Sequence, residues 1–196
     1  GDVYKRQVSD GSFTIPELIS RAKENSLDAI VITDHDTLSH SKQLPEHSGI
    51  RVTAGIEISA FDYEKNFRVH ILGYNIRNID LIEKTVRPTL EARHENSIKQ
   101  IGILNQYGYE IDINELRKAD GKYIYKQHIM ENLVRRKKAD EMFGNFYYST
   151  FKNGGICAFD IRYISPLEAL KAIKNSGGLA VLAHSGQQQN FSLIPE

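Results

Sequence analysis

The spacing of apolar positions changes several times along the chain, and each change predicts a different element. Leu18, Ile19 and Ala22 form a stripe at helical spacing. Thr14 with Glu17 three residues on makes a capping box, and Pro16 suits a first turn, so residues 14–26 are predicted as a helix. Residues 28–33 are a short, nearly continuous apolar run of the kind covered on both faces in a parallel sheet. Residues 50–59 and 67–75 read as two further strands, and the polar stretch 62–66 between them suits a hairpin-like loop.

From about residue 80 to 107, Leu81, Ile82, Val86, Leu90, Ile98, Ile101 and Leu104 return to helical spacing, with Pro88 as a bend or start point and Gly108 as a stop. Residues 109–160 read as short helices with aromatic packing. Ile129, Leu133 and Val134 lie on one, and Met142, Phe143, Phe146, Tyr147 and Phe151 follow. Ser165 with Glu168 is a second capping box, Pro166 takes the first helical position and Gly177-Gly178 supplies the stop. Residues 179–183 are predicted as another buried strand. The chain then passes through Gly186 and three glutamines to Glu196 without a closing helix.

At 196 residues the chain can bury one sizeable core, although it is short of the roughly 250 residues of a complete (β/α) barrel. The 25 basic and 25 acidic residues cancel, which excludes a global field that would draw the chain onto nucleic acid or an anionic membrane. The one dense charge run, 135–138, reads as a solvated helix end or as a local phosphate contact. A single cysteine, Cys157, excludes an internal disulfide framework. Without a nearby activating histidine it reads as a small buried hydrophobe and not a nucleophile. No apolar run approaches the roughly 18 residues of a transmembrane helix, so a cytoplasmic protein without a membrane partner is expected.

The chemistry is carried at the predicted strands. Asp34 and His35 follow the first, Glu57 lies in the second, His70 in the third, and His184 follows the fourth. In a parallel α/β barrel the C-terminal ends of the strands share one mouth, where active sites are built from several strands. A lone histidine there is usually structural, but repeated convergence of imidazole and carboxylate reads as a metal site. Imidazole suits zinc, iron and manganese, and a carboxylate can bridge two ions roughly 3.5–4 Å apart.

Ser9-Asp10-Gly11-Ser12, Thr14-x-Pro16-Glu17-Leu18, the stretch 32–37 (Ile-Thr-Asp-His-Asp-Thr), Gly55-Ile56-Glu57-Ile58-Ser59, Val69-His70-Ile71-Leu72-Gly73-Tyr74 and the stretch 177–184 ending in His184 resemble, in order, the signature blocks of the PHP (polymerase and histidinol phosphatase) family. The resemblance implies an α/β fold, a distorted (β/α)7 TIM-like barrel incomplete at both ends. It would comprise a first barrel part at 8–79, a helical insertion at 80–160 and a return to the barrel at 161–196. It implies two or three divalent ions (manganese, zinc or iron). Asp10 and His35 would hold one ion, Glu57 would bridge two others, and His70 and His184 would complete a third position. Asp34 and Asp36 would orient His35 and nearby backbone.

Within the family the chain is similar to stand-alone phosphoesterases of nucleoside bisphosphates or short RNA ends. Their Arg-x-His near the start of a helical insertion corresponds to Lys126-Gln127-His128. Lysine keeps the charge without the bidentate fork, so a phosphate contact by Lys126 and His128 is one reading and a capping or packing role for His128 is the other.

The family's opening His-x-His falls on Val3 and Lys5, which cannot ligate. Residues 1–7 are therefore expected to be a non-native leader, with divergence as the alternative. The family's closing Asp-x-His has no counterpart after His184, so the chain reads as a fragment of a protein roughly 80–100 residues longer. The expected function is hydrolysis of a phosphate monoester or diester of a nucleotide or short RNA end by a metal-activated water, with weak metal binding and little turnover in the chain as it stands. The expected partners are phosphorylated small molecules or short RNA, with no obligate protein partner. The rival reading is a degenerate, non-catalytic PHP module with a structural or binding role. Metal identity, the exact substrate and the oligomeric state stay open.

Overall fold

The computed structural model describes residues 13–116 and 123–194. Asp10 and the expected leader at 1–7 lie outside the described residues. The chain divides into two compact units, one formed by 1–88 with 163–196 and the other by 89–162.

In the first unit, α1 (Ile15–Glu24) starts at the expected cap. Thr14 Oγ1 accepts from the Glu17 N–H, and the Glu17 carboxylate accepts from the Thr14 N–H at 2.6 Å. The apolar stripe of α1, Ile15, Leu18, Ile19 and Ala22, packs with Ile30 and Ile32. These two residues belong to β1 (Ala29–His35). Burying each such Leu or Ile is worth about 1.5–3 kcal/mol, which fixes the face that β1 turns to α1.

β1 pairs in parallel with β2 (Arg51–Asp62), with Thr33 opposite Gly55 and His35 opposite Glu57. β2 pairs antiparallel with β3 (Phe67–Tyr74), with Ser59 opposite His70. β3 pairs antiparallel with β4 (Leu179–Leu182). The sheet order is β1-β2-β3-β4, and β3 alone runs against the other three. Ile56, Ile58 and Ala60 of β2 join Val69 and Ile71 of β3 in a second buried cluster. Ile82, Val86, Ala169, Ala172 and Ile173 cover it. The last three sit on α5 (Pro166–Asn175), which begins at the Ser165–Glu168 capping box.

Two expectations change here. The chemistry is expected at a mouth shared by the C-terminal ends of parallel strands, but the hairpin-like 63–66 turn returns the chain directly, so β3 runs antiparallel and carries His70 within it. The apolar run 179–183 predicts a buried strand. β4 instead pairs with β3 alone among the described strands, and Leu179 and Val181 are 66% and 44% exposed.

α2 (Ile79–Gln106) carries Pro88 within it, so Pro88 is not its start. The second unit has its own core. Ile101, Leu104, Ile111 and Leu116 pack with Ile124, Ile129, Met130, Leu133, Phe151 and Cys157, contributed in part by α3 (Lys126–Arg135) and α4 (Asn145–Phe151). Arg135 and Arg136 of the charge run are tied locally, Arg135 to Glu115 at 3.3 Å and Arg136 to the Tyr109 carbonyl at 3.2 Å. Among the described residues, no helix is long and apolar enough to cross a membrane.

Candidate metal centre

Side chains alternate along a strand, and residues paired across strands share a face. Ile56, Ile58 and Ala60 point into the core, so Gly55, Glu57 and Ser59 lie on the opposite face of β2. The register adds His35 beside Glu57 and His70 beside Ser59. Strand period and pairing alone therefore gather two imidazoles, a carboxylate and a hydroxyl on one face. His184 follows β4 closely, where the Ala183 N–H donates to the His70 carbonyl at 2.9 Å.

Glu57 is at the centre of the group and completely buried. Its Oε1 lies 2.9 Å from His70 Nδ1, 2.9 Å from His184 Nε2 and 3.7 Å from His35 Nε2. His70 Nδ1 and His184 Nε2 are 3.3 Å apart. The His70 ring meets both His35 and His184 edge-on, at centroid distances of 5.0 and 4.9 Å. Side-chain exposure rises from none at Glu57 to 14% at His35, 17% at His70 and 26% at His184, so the group opens to solvent on its imidazole side.

Donors bound at about 2.0–2.1 Å to a tetrahedral ion stand about 3.3 Å from one another. The spacings of 2.9–3.7 Å match that figure, and donor atoms of His35, Glu57 and His70 all lie within 4.8 Å of one another. Burying a carboxylate is costly unless cations or hydrogen-bond donors meet it, and imidazole with carboxylate is a donor set for divalent transition metals. The residues present fit such an ion. Burial holds the His70 imidazole below its ordinary 6.5, against the opposing hydrogen bond from Glu57, and His35 and His184 add to the lowering. The neutral ring is the ligating form.

The two aspartates that flank His35 are both completely buried. Asp36 adopts a left-handed conformation, with φ of 57°. Its N–H donates to the Glu57 carbonyl at 3.0 Å, and its Oδ1 accepts from the Ser59 N–H at 2.8 Å. The left-handed backbone costs roughly 1–2 kcal/mol. A neutral hydrogen bond returns about 1 kcal/mol and one to a carboxylate about 1.5–3, so the clip is net stabilising. Asp34 Oδ2 lies 2.9 Å from Nδ1 of His40, another fully buried residue.

Sequence reasoning missed Ser59 and His40. Ser59 is two residues from Glu57, so the strand period could have placed it on the same face. His40 lies in a 3-10 turn, Ser39–Gln43, and carries no such signal.

Lys126 and His128 belong to the second unit. His128 is buried and caps α3, its Nδ1 accepting from the Tyr125 N–H at 3.3 Å. Lys126 Nζ lies 5.5 Å above the Phe151 ring. Cys157 is buried, and burial pushes its thiol up to about 11.

Residues 5–155 match the PHP domain. A phosphoribosyl 1,2-cyclic phosphate 1,2-diphosphodiesterase from Eggerthella lenta is 38% identical, over 96% of this chain and 74% of that protein. The 5'-3' exoribonuclease Rnm of Salmonella typhimurium is 30% identical, over 91% of this chain and 62% of its own length. Among solved structures, a Bifidobacterium adolescentis protein assigned as a metal-dependent phosphoesterase superposes with a TM-score of 0.82 at 23% identity, covering 94% of this chain and 66% of that one. An amidohydrolase from Chromobacterium violaceum superposes with a TM-score of 0.79 at 22% identity, covering 97% and 68%. The structural likenesses show a shared α/β fold. The domain match over most of the chain and the 38% identity across nearly all of it show more: this chain belongs to the PHP family.

Proposed function

We propose that the chain is the metal-binding part of a phosphoesterase that hydrolyses a phosphate monoester or diester on a ribose-bearing substrate, a nucleotide or a short RNA end. The observation that carries this reading is the buried Glu57 carboxylate within 2.9 Å of two imidazoles and 3.7 Å of a third. The names of the two relatives support the substrate class, since a cyclic ribose phosphate and an RNA end share the ribose phosphodiester.

His35, Glu57, His70 and His184 would hold divalent ions, with Asp10 as a further ligand. Two or three ions, of manganese, zinc or iron, suit the donor set. Such ions supply Lewis acidity toward the phosphoryl oxygens and lower the pKa of water. The residues do the rest: Glu57 sets the negative centre, Asp36 and Asp34 hold the end of β1, and the imidazoles form the exposed rim. Lys126 would meet the substrate phosphate, with His128 fixing the turn that presents it. The four-stranded sheet is read as part of a distorted (β/α)7 barrel, which the parallel β1–β2 pair with α1 packed on β1 supports.

The test is uptake of Mn2+ or Zn2+ by the chain, followed by product analysis with nucleoside bisphosphates, a ribose cyclic phosphate, oligoribonucleotides and amides. Phosphoester cleavage that needs the ion and disappears in E57Q is the expected result. Cleavage of amides alone overturns the reading. Ion uptake without any turnover would instead indicate a non-catalytic binding module.

A further inference from the structure

We propose that Ser59 is a positioning residue for His35. With an ion held at Nε2 the ring proton would stand on Nδ1, and the Ser59 hydroxyl would accept it and hold the ring in that orientation. The inference rests on the ion-site reading above and adds a residue to it.

Ser59 is 1% exposed, and its Oγ lies 3.2 Å from His35 Nδ1. The other ring nitrogen, Nε2, is 3.7 Å from Glu57 Oε1. That is beyond hydrogen-bond range but close to the separation of two ligands on one ion. Glu57 Oε1 already meets His70 and His184 at 2.9 Å each. A neutral imidazole has one proton, so a ring that gives its Nε2 lone pair to an ion carries that proton on Nδ1. The group beside Nδ1 that can accept it is Ser59 Oγ. A ligating histidine is commonly oriented through its second nitrogen in this manner.

The hydroxyl is held in place by backbone. Asp36 Oδ1 accepts the Ser59 N–H at 2.8 Å, and the Asp36 N–H donates to the Glu57 carbonyl at 3.0 Å. The residue after His35 thus reaches across to β2 and sets the position of the residue that orients His35. The loop closes on itself through Asp36, Ser59 and His35. Ser59→Ala removes only Oγ and keeps the backbone link to Asp36, so the proposal can be tested without dismantling the clip.

The experiment is long-range 1H–15N NMR on the Zn2+-loaded, 15N-histidine-labelled chain, with His35 assigned by its disappearance in H35Q. The wild type and S59T are expected to show a slowly exchanging His35 Nδ1–H, and S59A to lose that protection. Zn2+ affinity measured by calorimetry should fall roughly 10–100-fold in S59A and recover in S59T. An Nδ1–H that exchanges as slowly in S59A as in the wild type, with unchanged Zn2+ affinity, overturns the proposal, whether or not S59T packs well enough to be read. A wild-type chain that takes up no Zn2+ overturns the ion-site reading, and the proposal that rests on it falls with it.

Discussion

Glu57 Oε1 lies 2.9 Å from His70 Nδ1, and both residues sit well inside their strands, away from the ends. The sheet itself holds this pair, so its geometry depends on strand register and not on loop conformation.

Replacing Glu57 with glutamine keeps the shape and removes the charge. Affinity for Mn2+ or Zn2+ is expected to fall by more than the roughly 10–100-fold typical of losing an outer partner of a ligand. Calorimetric titration of E57Q against the wild type checks this. Because the carboxylate is fully buried, the metal-free variant should be at least as stable as the metal-free wild type in urea.

Burial lowers the His70 pKa in the folded chain. Below the ordinary value of 6.5 the unfolded state then binds the proton more readily than the folded state, so folding stability falls as pH falls through this region. Thermal melts of the metal-free chain should give a lower Tm at pH 5 than at pH 7. H70N should flatten that dependence.

Gly55 lies on the Glu57 face of β2, where an added Cβ would stand 2.8 Å from the Gly73 carbonyl oxygen, 2.8 Å from Val31 Cγ1 and 2.9 Å from Thr33 Cγ2. Backbone and two β-branched side chains from both neighbouring strands cannot give way cheaply. G55A is expected to cost about 1–3 kcal/mol in urea unfolding, and G102A, which meets nothing within 4 Å, should cost nothing from crowding.

The Cys157 thiol is buried and pushed up to about 11. At pH 8 the folded chain should resist iodoacetamide, and the same chain in denaturing urea should be alkylated at the rate of an ordinary thiol. Mass spectrometry after timed quenching distinguishes the two, and rapid labelling of the native chain would show that the second unit opens readily.

Much of this was legible in the residues because its causes are local. The capping boxes at Thr14–Glu17 and Ser165–Glu168 need only an i, i+3 spacing, and both formed as read. The apolar run of β1 needs only its own composition. Strand direction and exposure are different, since they depend on which distant segment pairs with which. The hairpin-like stretch 62–66 does imply that β3 runs back along β2, but a shared mouth for the chemistry overlooks it, and the apolar run of β4 does not show that its face stays open. His35, Glu57, His70 and His184 stood out by residue type, and the structure brings them together. Ser59 did not stand out. A serine in a strand has no chemical signature until the register shows the ring it faces.

The depth of the Glu57 carboxylate has a consequence for the life of the protein in a cell. An ion that binds only the folded chain adds RT ln(1 + [L]/Kd) to its stability, about 2.7 kcal/mol at a hundredfold excess over Kd. Metal supply would therefore regulate abundance as well as catalysis: where the ion is short the chain would unfold and be degraded faster, turning a nutrient shortage into a loss of protein.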